Sequence, residues 1–365
     1  MDKKKFLIVF TGGGTAGSVT PLLALASELK KRSDKYHFFW IGARGGIEKS
    51  IIEKKDMPFK AIFCGNLRRY FSWRNFLDPF LVIVGFLQAL VFLMRKRPLC
   101  VIAAGSFTQV PVGWAAWSLR IPLVIHQQDI RPGLANRLTA PAARVITTAF
   151  EETAHYFGKK AVWIGNFIQA ELEEEFHHLT RAQACQYFGF NSSKPVVLIM
   201  GGSTGAQAIN SFVYQNLTDL IAKYQIIHLT GYGKGPEQDI KKGRYVWFEF
   251  LSTVQIARAL RAADVVFSRA GLGALTEFSY LGKPVILIPI PNSHQEDNAS
   301  YYAKRQAALV LPQKDLNKDN FIKLANKIIQ DKKLAAQLKV NIRNILKDDA
   351  FHAMKNIVTG FMWDR

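Results

Sequence analysis

Val196-Val197-Leu198-Ile199-Met200 runs straight into Gly201-Gly202-Ser203-Thr204-Gly205-Ala206-Gln207. An unbroken apolar run of this length matches a strand covered on both faces, as in a parallel sheet. Glycines after such a strand let backbone N–H groups approach a ligand, and the helix that follows adds partial positive charge at its N-terminus. The chain opens in the same way: residues 6–10 are apolar, Gly12-Gly13-Gly14-Thr15-Ala16-Gly17-Ser18 follows, and Pro21 sits near the start of the next helix. A single glycine turn is often no more than tight strand–helix packing. Two of them, each opening its own strand–helix cycle, predict two Rossmann-like domains with a ligand for each. The P-loop pattern G-x-x-x-x-G-K-[ST] is absent.

Outward from these turns the alternation continues. Candidate strands lie at 37–41, 59–63, 100–104, 123–126 and 145–148 in the first half, and at 226–229, 245–250, 265–268 and 285–290 in the second. Helical periodicity at 21–31 and between the other strands predicts an α/β fold, a doubly wound parallel sheet in each half. The polar stretch 167–193 places a junction between a first domain at 1–166 and a second at 194–345. Residues 346–365 form a last helix that can cross back to the first domain. A length of 365 residues suits two ordinary domains.

The formal net charge is +20. Such an excess favours nucleic acid, phosphorylated ligands or acidic lipid headgroups. No nucleic-acid module is visible, so nucleic acid is not an expected partner. Cys64, Cys100 and Cys185 are scattered and fit no metal-ligand spacing, which suits a reducing compartment. The basic, briefly apolar N-terminus passes into the first glycine turn and reads as a strand, not as a signal peptide.

The most specific segment is Ala263-Asp264-Val265-Val266-Phe267-Ser268-Arg269-Ala270-Gly271-Leu272-Gly273-Ala274-Leu275-Thr276-Glu277. It reads as a strand, a small-residue turn and a helix. Leu272, Gly273 and Ala274 can present N–H groups to a diphosphate, with Arg269 at the strand end. Thr276 and Glu277 are expected in the helix's first turn, where a carboxylate can accept from both ribose hydroxyls. The plainer alternative is that Glu277 only complements the helix dipole. Downstream, strand 285–290 leads into the polar loop Asn292-Ser293-His294-Gln295-Glu296-Asp297-Asn298-Ala299.

These segments, together with Gly201–Asn210, His228-Leu229-Thr230-Gly231, the first turn and His126-Gln127-Gln128-Asp129, resemble the MurG-type N-acetylglucosaminyltransferases, in the right order over nearly the whole chain. The resemblance implies a GT-B fold of two Rossmann-like domains facing a cleft. It implies inverting transfer of GlcNAc from UDP-GlcNAc to undecaprenyl-pyrophosphoryl-MurNAc-pentapeptide, giving lipid II, with no metal or other cofactor. No Asp-x-Asp motif occurs. Carried over by position, Glu277 holds the ribose, Ser203 a donor phosphate and Gln295 the GlcNAc hydroxyls, while Leu272–Ala274 face the diphosphate. Thr15, Ala16, Gly17, Gln169, Gly205, Arg269 and Thr276 complete the expected donor contacts.

Departures from the family pattern lie on the acceptor side and at the junction. Ser18 stands at a family histidine, and His-Glu-Gln-Asn becomes His126-Gln127-Gln128-Asp129. Phe107 stands where Tyr is usual, and Gly-Asn-Pro-Val-Arg becomes Gly165-Asn166-Phe167-Ile168-Gln169. Serine is no general base near neutral pH, so Asp129 is the expected base, with His126 second and Ser18 a hydrogen-bonding contact. The alternative is a GT-B paralogue that uses a different lipid or glycan acceptor.

Leu67-Arg68-Arg69-Tyr70-Phe71-Ser72-Trp73-Arg74 precedes a long apolar run closed by Arg95-Lys96-Arg97. As a helix, residues 80–94 span about 22 Å, short of the roughly 30 Å hydrocarbon core, and Asp78 and Pro79 are expected to limit extension upstream. Arg68, Arg69, Trp73 and Arg74 therefore read as an interfacial element for anionic lipid. The expected location is peripheral, on the cytoplasmic face of the cell membrane.

Overall fold

A computed structural model describes residues 5–14, 16–65, 74–202, 205–236 and 243–363. The chain divides into two compact units, Met1–Phe167 with Lys347–Arg365, and Ile168–Leu346.

The first unit holds an all-parallel sheet of β1 (Phe6–Thr11), β2 (Tyr36–Ala43), β3 (Phe59–Ile62), β4 (Cys100–Ala103), β5 (Leu123–Gln127), β6 (Val145–Thr148) and β7 (Ala161–Trp163). Their order is β3-β2-β1-β4-β5-β6-β7. The connecting helices are α1 (Ala16–Arg32), α2 (Glu48–Glu53), α3 (Arg74–Lys96), α4 (Gln109–Ser118), α5 (Leu134–Thr139) and α6 (Glu151–Phe157).

The continuous apolar strands feed two cores at once, because successive side chains point to opposite faces. Ile8, Phe10, Cys100 and Ile102 join one core with Leu22 and Leu25 of α1. Val9, Val101 and Ala103 join the other with Ala89 and Leu93 of α3 and Val112 and Ala115 of α4.

The second unit repeats the order, β10-β9-β8-β11-β12-β13. Its strands are β8 (Val196–Met200), β9 (Gln225–Leu229), β10 (Tyr245–Phe248), β11 (Val265–Ser268), β12 (Val285–Leu287) and β13 (Leu309–Val310). Its helices are α7 (Ala170–His178), α8 (Arg181–Tyr187), α9 (Gln207–Lys223), α10 (Thr253–Ala262), α11 (Leu272–Leu281), α12 (His294–Lys304), α13 (Lys318–Gln330) and α14 (Lys332–Arg343). A last helix, α15 (Ala350–Trp363), belongs to the first unit.

Several expectations change. β7 and β13 are edge strands too short to show a period, and β12 stops at Leu287, ahead of Pro289. From Ile168 onward the polar segment expected at the junction belongs to the second unit and folds as α7 and α8. There Arg258 pairs with Glu175 (2.7 Å), and Arg181 reaches Asp264 (2.6 Å). Helix α3 runs through both Asp78 and Pro79 instead of starting after them.

Met354 and Val358 of α15 are fully buried against α1 and β1. Met354→Ala should lower the stability of the first unit by about 2–5 kcal/mol, read as a lower urea midpoint with donor affinity unchanged. An unchanged midpoint would mean that α15 is dispensable there.

Candidate functional site

In doubly wound sheets ligands bind beyond the carboxyl ends of the strands, where the strand order reverses. That point lies between β1 and β4 in the first unit and between β8 and β11 in the second. In the second unit Met200 and Ser268 are register partners at adjacent strand ends. The glycine turn after β8 and the Arg269–Ala274 turn after β11 therefore rise side by side, although about 70 residues separate them in sequence.

Helix α11 starts at Leu272 behind Gly271, with no side-chain cap. Leu275 N–H already bonds Gly271 O (3.1 Å), whereas the N–H groups of Leu272, Gly273 and Ala274 precede the helical ladder. Gln295 in the first turn of α12 accepts from Ala270 N–H (3.2 Å) and Ile290 N–H (3.3 Å), and its Nε2 lies beside Gly271. Asn298 Nδ2 donates to Ala270 O (3.1 Å). The α11 entrance is thus held from α12 by two amide side chains, while its own first N–H groups have no partner among the described residues.

Glu277 lies in the second turn of α11, not the first. Dipole effects fade beyond the first turn, so complementing the helix dipole does not explain this residue. No side chain or backbone group among the described residues donates to its carboxyl, and burial pushes its pKa up to about 8. A part-buried carboxyl with no partner among the described residues is poised for hydroxyl donors from a ligand.

Other expected donor contacts have structural employment. Arg269 is buried and gives Nη1 to the carbonyls of Ile288 (3.0 Å) and Pro289 (3.1 Å), and Nη2 to Gln313 Oε1 (2.6 Å). It braces the β12 exit, leaving Nε without a partner among the described residues. Burial lowers its pKa. Thr276 is buried and donates back to Leu272 O (2.8 Å). Gln169 stands just ahead of α7 without a side-chain bond to the helix, and its Oε1 accepts from Thr253 Oγ1 (3.0 Å). Gly205 has φ +69° and packs on the Thr230 carbonyl, where no side chain fits. Ser203 lies outside the described residues.

An exposed aromatic pair went unnoticed in the sequence. Tyr232, after β9, and Phe250, after β10, stack with centroids 5.5 Å apart and planes 13° apart. They stand on the same sheet edge as the glycine turn. Only their positions after adjacent strands bring them together, and no local pattern signals that.

In the first unit the glycine turn is clamped by protein groups. Ser18 Oγ donates to Gly13 O (2.9 Å), and Trp40 Nε1 to Gly12 O (3.1 Å). The buried Glu48 carboxylate accepts from Gly14 N–H (3.2 Å) and Ala43 N–H (2.7 Å). Glu48 was also unforeseen; its only sequence signal is a glutamate just after a second glycine pair, Gly45-Gly46. Gly17 lies in the first turn of α1. Thr15 and the side chain of Ala16 lie outside the described residues.

His126 is fully buried, with Nδ1 against Thr147 Oγ1 (3.0 Å) and Nε2 against Asn166 Oδ1 (2.9 Å). Burial holds its pKa at about 4. Both nitrogens are committed inside the sheet, so His126 is a core residue and not a second candidate base. Asp129 is partly exposed in the loop after β5. β5 lies two strands from β1, about 10 Å across the same edge.

Helix α3 carries a bare apolar stripe of Phe80, Ile83, Val84, Leu87, Val91 and Met94, with Phe80 67% and Leu87 52% exposed. Its inner face buries Ala89, Phe92 and Leu93. Gln88 accepts from Phe63 N–H (3.0 Å), and Gly85 lets the helix approach the Phe63 carbonyl. The stretch Asp78–Lys96, 19 residues, is long and apolar enough to cross a membrane by length and composition. Arg68, Arg69, Trp73 and the side chain of Arg74 lie outside the described residues.

Two family models match the chain: the glycosyltransferase family 28 N-terminal domain at residues 8–148 and its C-terminal domain at 196–352. A Clostridium botulinum protein named UDP-N-acetylglucosamine--N-acetylmuramyl-(pentapeptide) pyrophosphoryl-undecaprenol N-acetylglucosamine transferase is 38% identical, over 96% of this chain and 97% of its own. A Bacillus thuringiensis protein of the same name, numbered 3, is 40% identical over 87% and 89%. The crystal structure of Acinetobacter baumannii MurG superposes with a TM-score of 0.73 at 23% identity, covering 97% of this chain and 99% of that one. The Neisseria meningitidis UDP-GlcNAc 2-epimerase bound to UDP-GlcNAc gives 0.67 at 16%, covering 98% and 99%. With two parallel-sheet α/β units of GT-B type and matches across both halves, the chain belongs to glycosyltransferase family 28.

Proposed function

We propose that the protein transfers GlcNAc from UDP-GlcNAc to undecaprenyl-pyrophosphoryl-MurNAc-pentapeptide, forming lipid II at a membrane surface. The observation that carries the donor half is Glu277, a part-buried carboxyl with no hydrogen-bond partner among the described residues, on a helix whose first N–H groups have none there either. Its carboxylate takes the ribose hydroxyls. The N–H groups of Leu272, Gly273 and Ala274, with Ser203, meet the diphosphate, whose charge grows as UDP leaves. Gln295 meets the sugar hydroxyls, and Tyr232 with Phe250 offers a flat surface for the base.

The acceptor hydroxyl attacks the anomeric carbon as the bond to UDP breaks, which inverts that carbon. Asp129 takes the hydroxyl proton. No metal takes part, so chelator should leave the rate unchanged. The acceptor's lipid chain brings the reaction to the membrane, where the α3 stripe and the basic–aromatic segment before it rest in the interface.

The test is purified protein with UDP-GlcNAc and the lipid-linked acceptor, scored by UDP release and by the disaccharide product. UDP release only with another lipid or glycan acceptor would favour the paralogue reading, which Ser18 at the family's histidine supports. For the membrane half, Leu87→Glu should cut co-sedimentation with anionic vesicles by about tenfold or more, since an exposed apolar contact becomes a charge repelled by the lipid. Equal co-sedimentation of the variant would remove α3 from the membrane face.

A further inference from the structure

Gln109, Gln127 and Asn136 are almost wholly buried in the first unit. Their side chains form a chain of amides with a single polarity. Gly105 N–H donates to Gln109 Oε1 (2.8 Å), Gln109 Nε2 to Asn136 Oδ1 (2.8 Å), and Asn136 Nδ2 to Gln127 Oε1 (2.5 Å). Gln127 Nε2 then donates to the Asp129 carbonyl (2.7 Å) and, at longer range, to that of Arg131 (3.4 Å). Gln109 Nε2 also reaches Thr139 Oγ1, whose proton goes to the Ala135 carbonyl (2.8 Å). Each amide accepts through oxygen and donates through nitrogen. Turning one over would set donor against donor and acceptor against acceptor, so all three orientations are locked together.

The chain joins two loops at the carboxyl edge of the sheet. One end is the turn after β4, where Gly105 and Ser106 take consecutive left-handed conformations at φ +92° and +86°. A serine rarely adopts that φ, so the turn needs outside support. The other end is the loop that carries Asp129. Gln127 itself ends β5, a rigid element, while Asp129 two residues later has left the ladder. Holding the Asp129 carbonyl fixes the backbone from which its carboxylate projects.

We infer that Gln127 is a positioning residue for Asp129, and that through Asn136 and Gln109 it couples the Asp129 loop to the Gly105–Ser106 turn. This rests on Asp129 as the base proposed above. A glutamate at 127 has the same shape, yet when ionised it turns an acceptor toward the Asp129 and Arg131 carbonyls. A methionine has similar length and no donor.

The test is a double-mutant cycle on the full chain. Gln127→Glu and Gln127→Met are each measured alone and combined with Asp129→Asn, with residual turnover followed by radiolabelled UDP-GlcNAc at saturating acceptor. Each should lower kcat by about tenfold or more in the parent and by less than about twofold in Asp129→Asn, with the KM for UDP-GlcNAc unchanged. A merely structural role would cost the same in both backgrounds. Equal losses, or no loss in the parent, overturn the inference and leave Asp129 as base. Full turnover by Asp129→Asn alone removes the base assignment and the positioning role with it. If Gln127→Glu does not fold, as judged by its thermal unfolding, the neutral Gln127→Met carries the cycle.

Discussion

Asp129→Asn should lower turnover of UDP-GlcNAc with the lipid-linked acceptor by about 10²–10⁴-fold, the usual range for loss of a general base. In a one-step displacement the attacking hydroxyl must shed its proton as it bonds to the sugar. Three residues on the first unit's sheet edge were candidates to receive it. His126 is enclosed, with both ring nitrogens bonded and its pKa held at about 4. Ser18 has a hydroxyl that donates to Gly13 O. Asp129 is partly exposed and follows a strand end on the same edge, and is the proposed base on those grounds. Because Asp129 lies in the first unit while Leu272–Ala274, Glu277 and Gln295, the proposed ribose, diphosphate and sugar contacts, lie in the second, the affinity for UDP-GlcNAc should stay within about twofold, so that the loss falls on kcat. Ser18→Ala should cost far less. Near-normal turnover by Asp129→Asn would place the base elsewhere.

Removing the Glu277 carboxyl should weaken UDP-GlcNAc binding by about 2–4 kcal/mol, the loss of two charge-assisted hydrogen bonds. Calorimetry on Glu277→Ala reads this directly, and unchanged affinity in a folded variant would sink the assignment. The carboxyl also predicts a pH dependence. With its pKa near 8 in the empty protein, Glu277 is mostly protonated at pH 6–7, whereas ribose hydroxyls donate best to the ionised form. Binding should therefore release a proton and strengthen between pH 6 and 8, by at most about tenfold per unit. Glu277→Gln should be flat over that window. Stability moves the other way: the folded pKa lies above the ordinary 4.5, so the contribution of this group is full below pH 4.5 and is lost as pH rises through 8. Glu277→Gln should consequently gain stability relative to the parent at alkaline pH.

The sequence by itself determined the two parallel sheets. Runs such as Val196–Met200 and Cys100–Ala103 are apolar without alternation, which only strands buried on both faces require, and each glycine turn marks a strand passing into a helix. The strand, turn and helix that carry Leu272–Ala274 and Glu277 were legible for the same reason: they are neighbours in sequence. Tertiary structure decided what each polar side chain is for. Arg269 and Thr276 stand within the right motif, yet one is spent on the carbonyls of Ile288 and Pro289 and the other on its own helix. His126 looked available until the neighbouring strand supplied Thr147 and the chain beyond β7 supplied Asn166. Glu48, the Tyr232–Phe250 pair and the amide chain from Gly105 to Asp129 depend on contacts between segments far apart in sequence. Apolar periodicity is a local property that a chain displays residue by residue. The partner of a buried polar group is fixed only when distant strands and loops close around it.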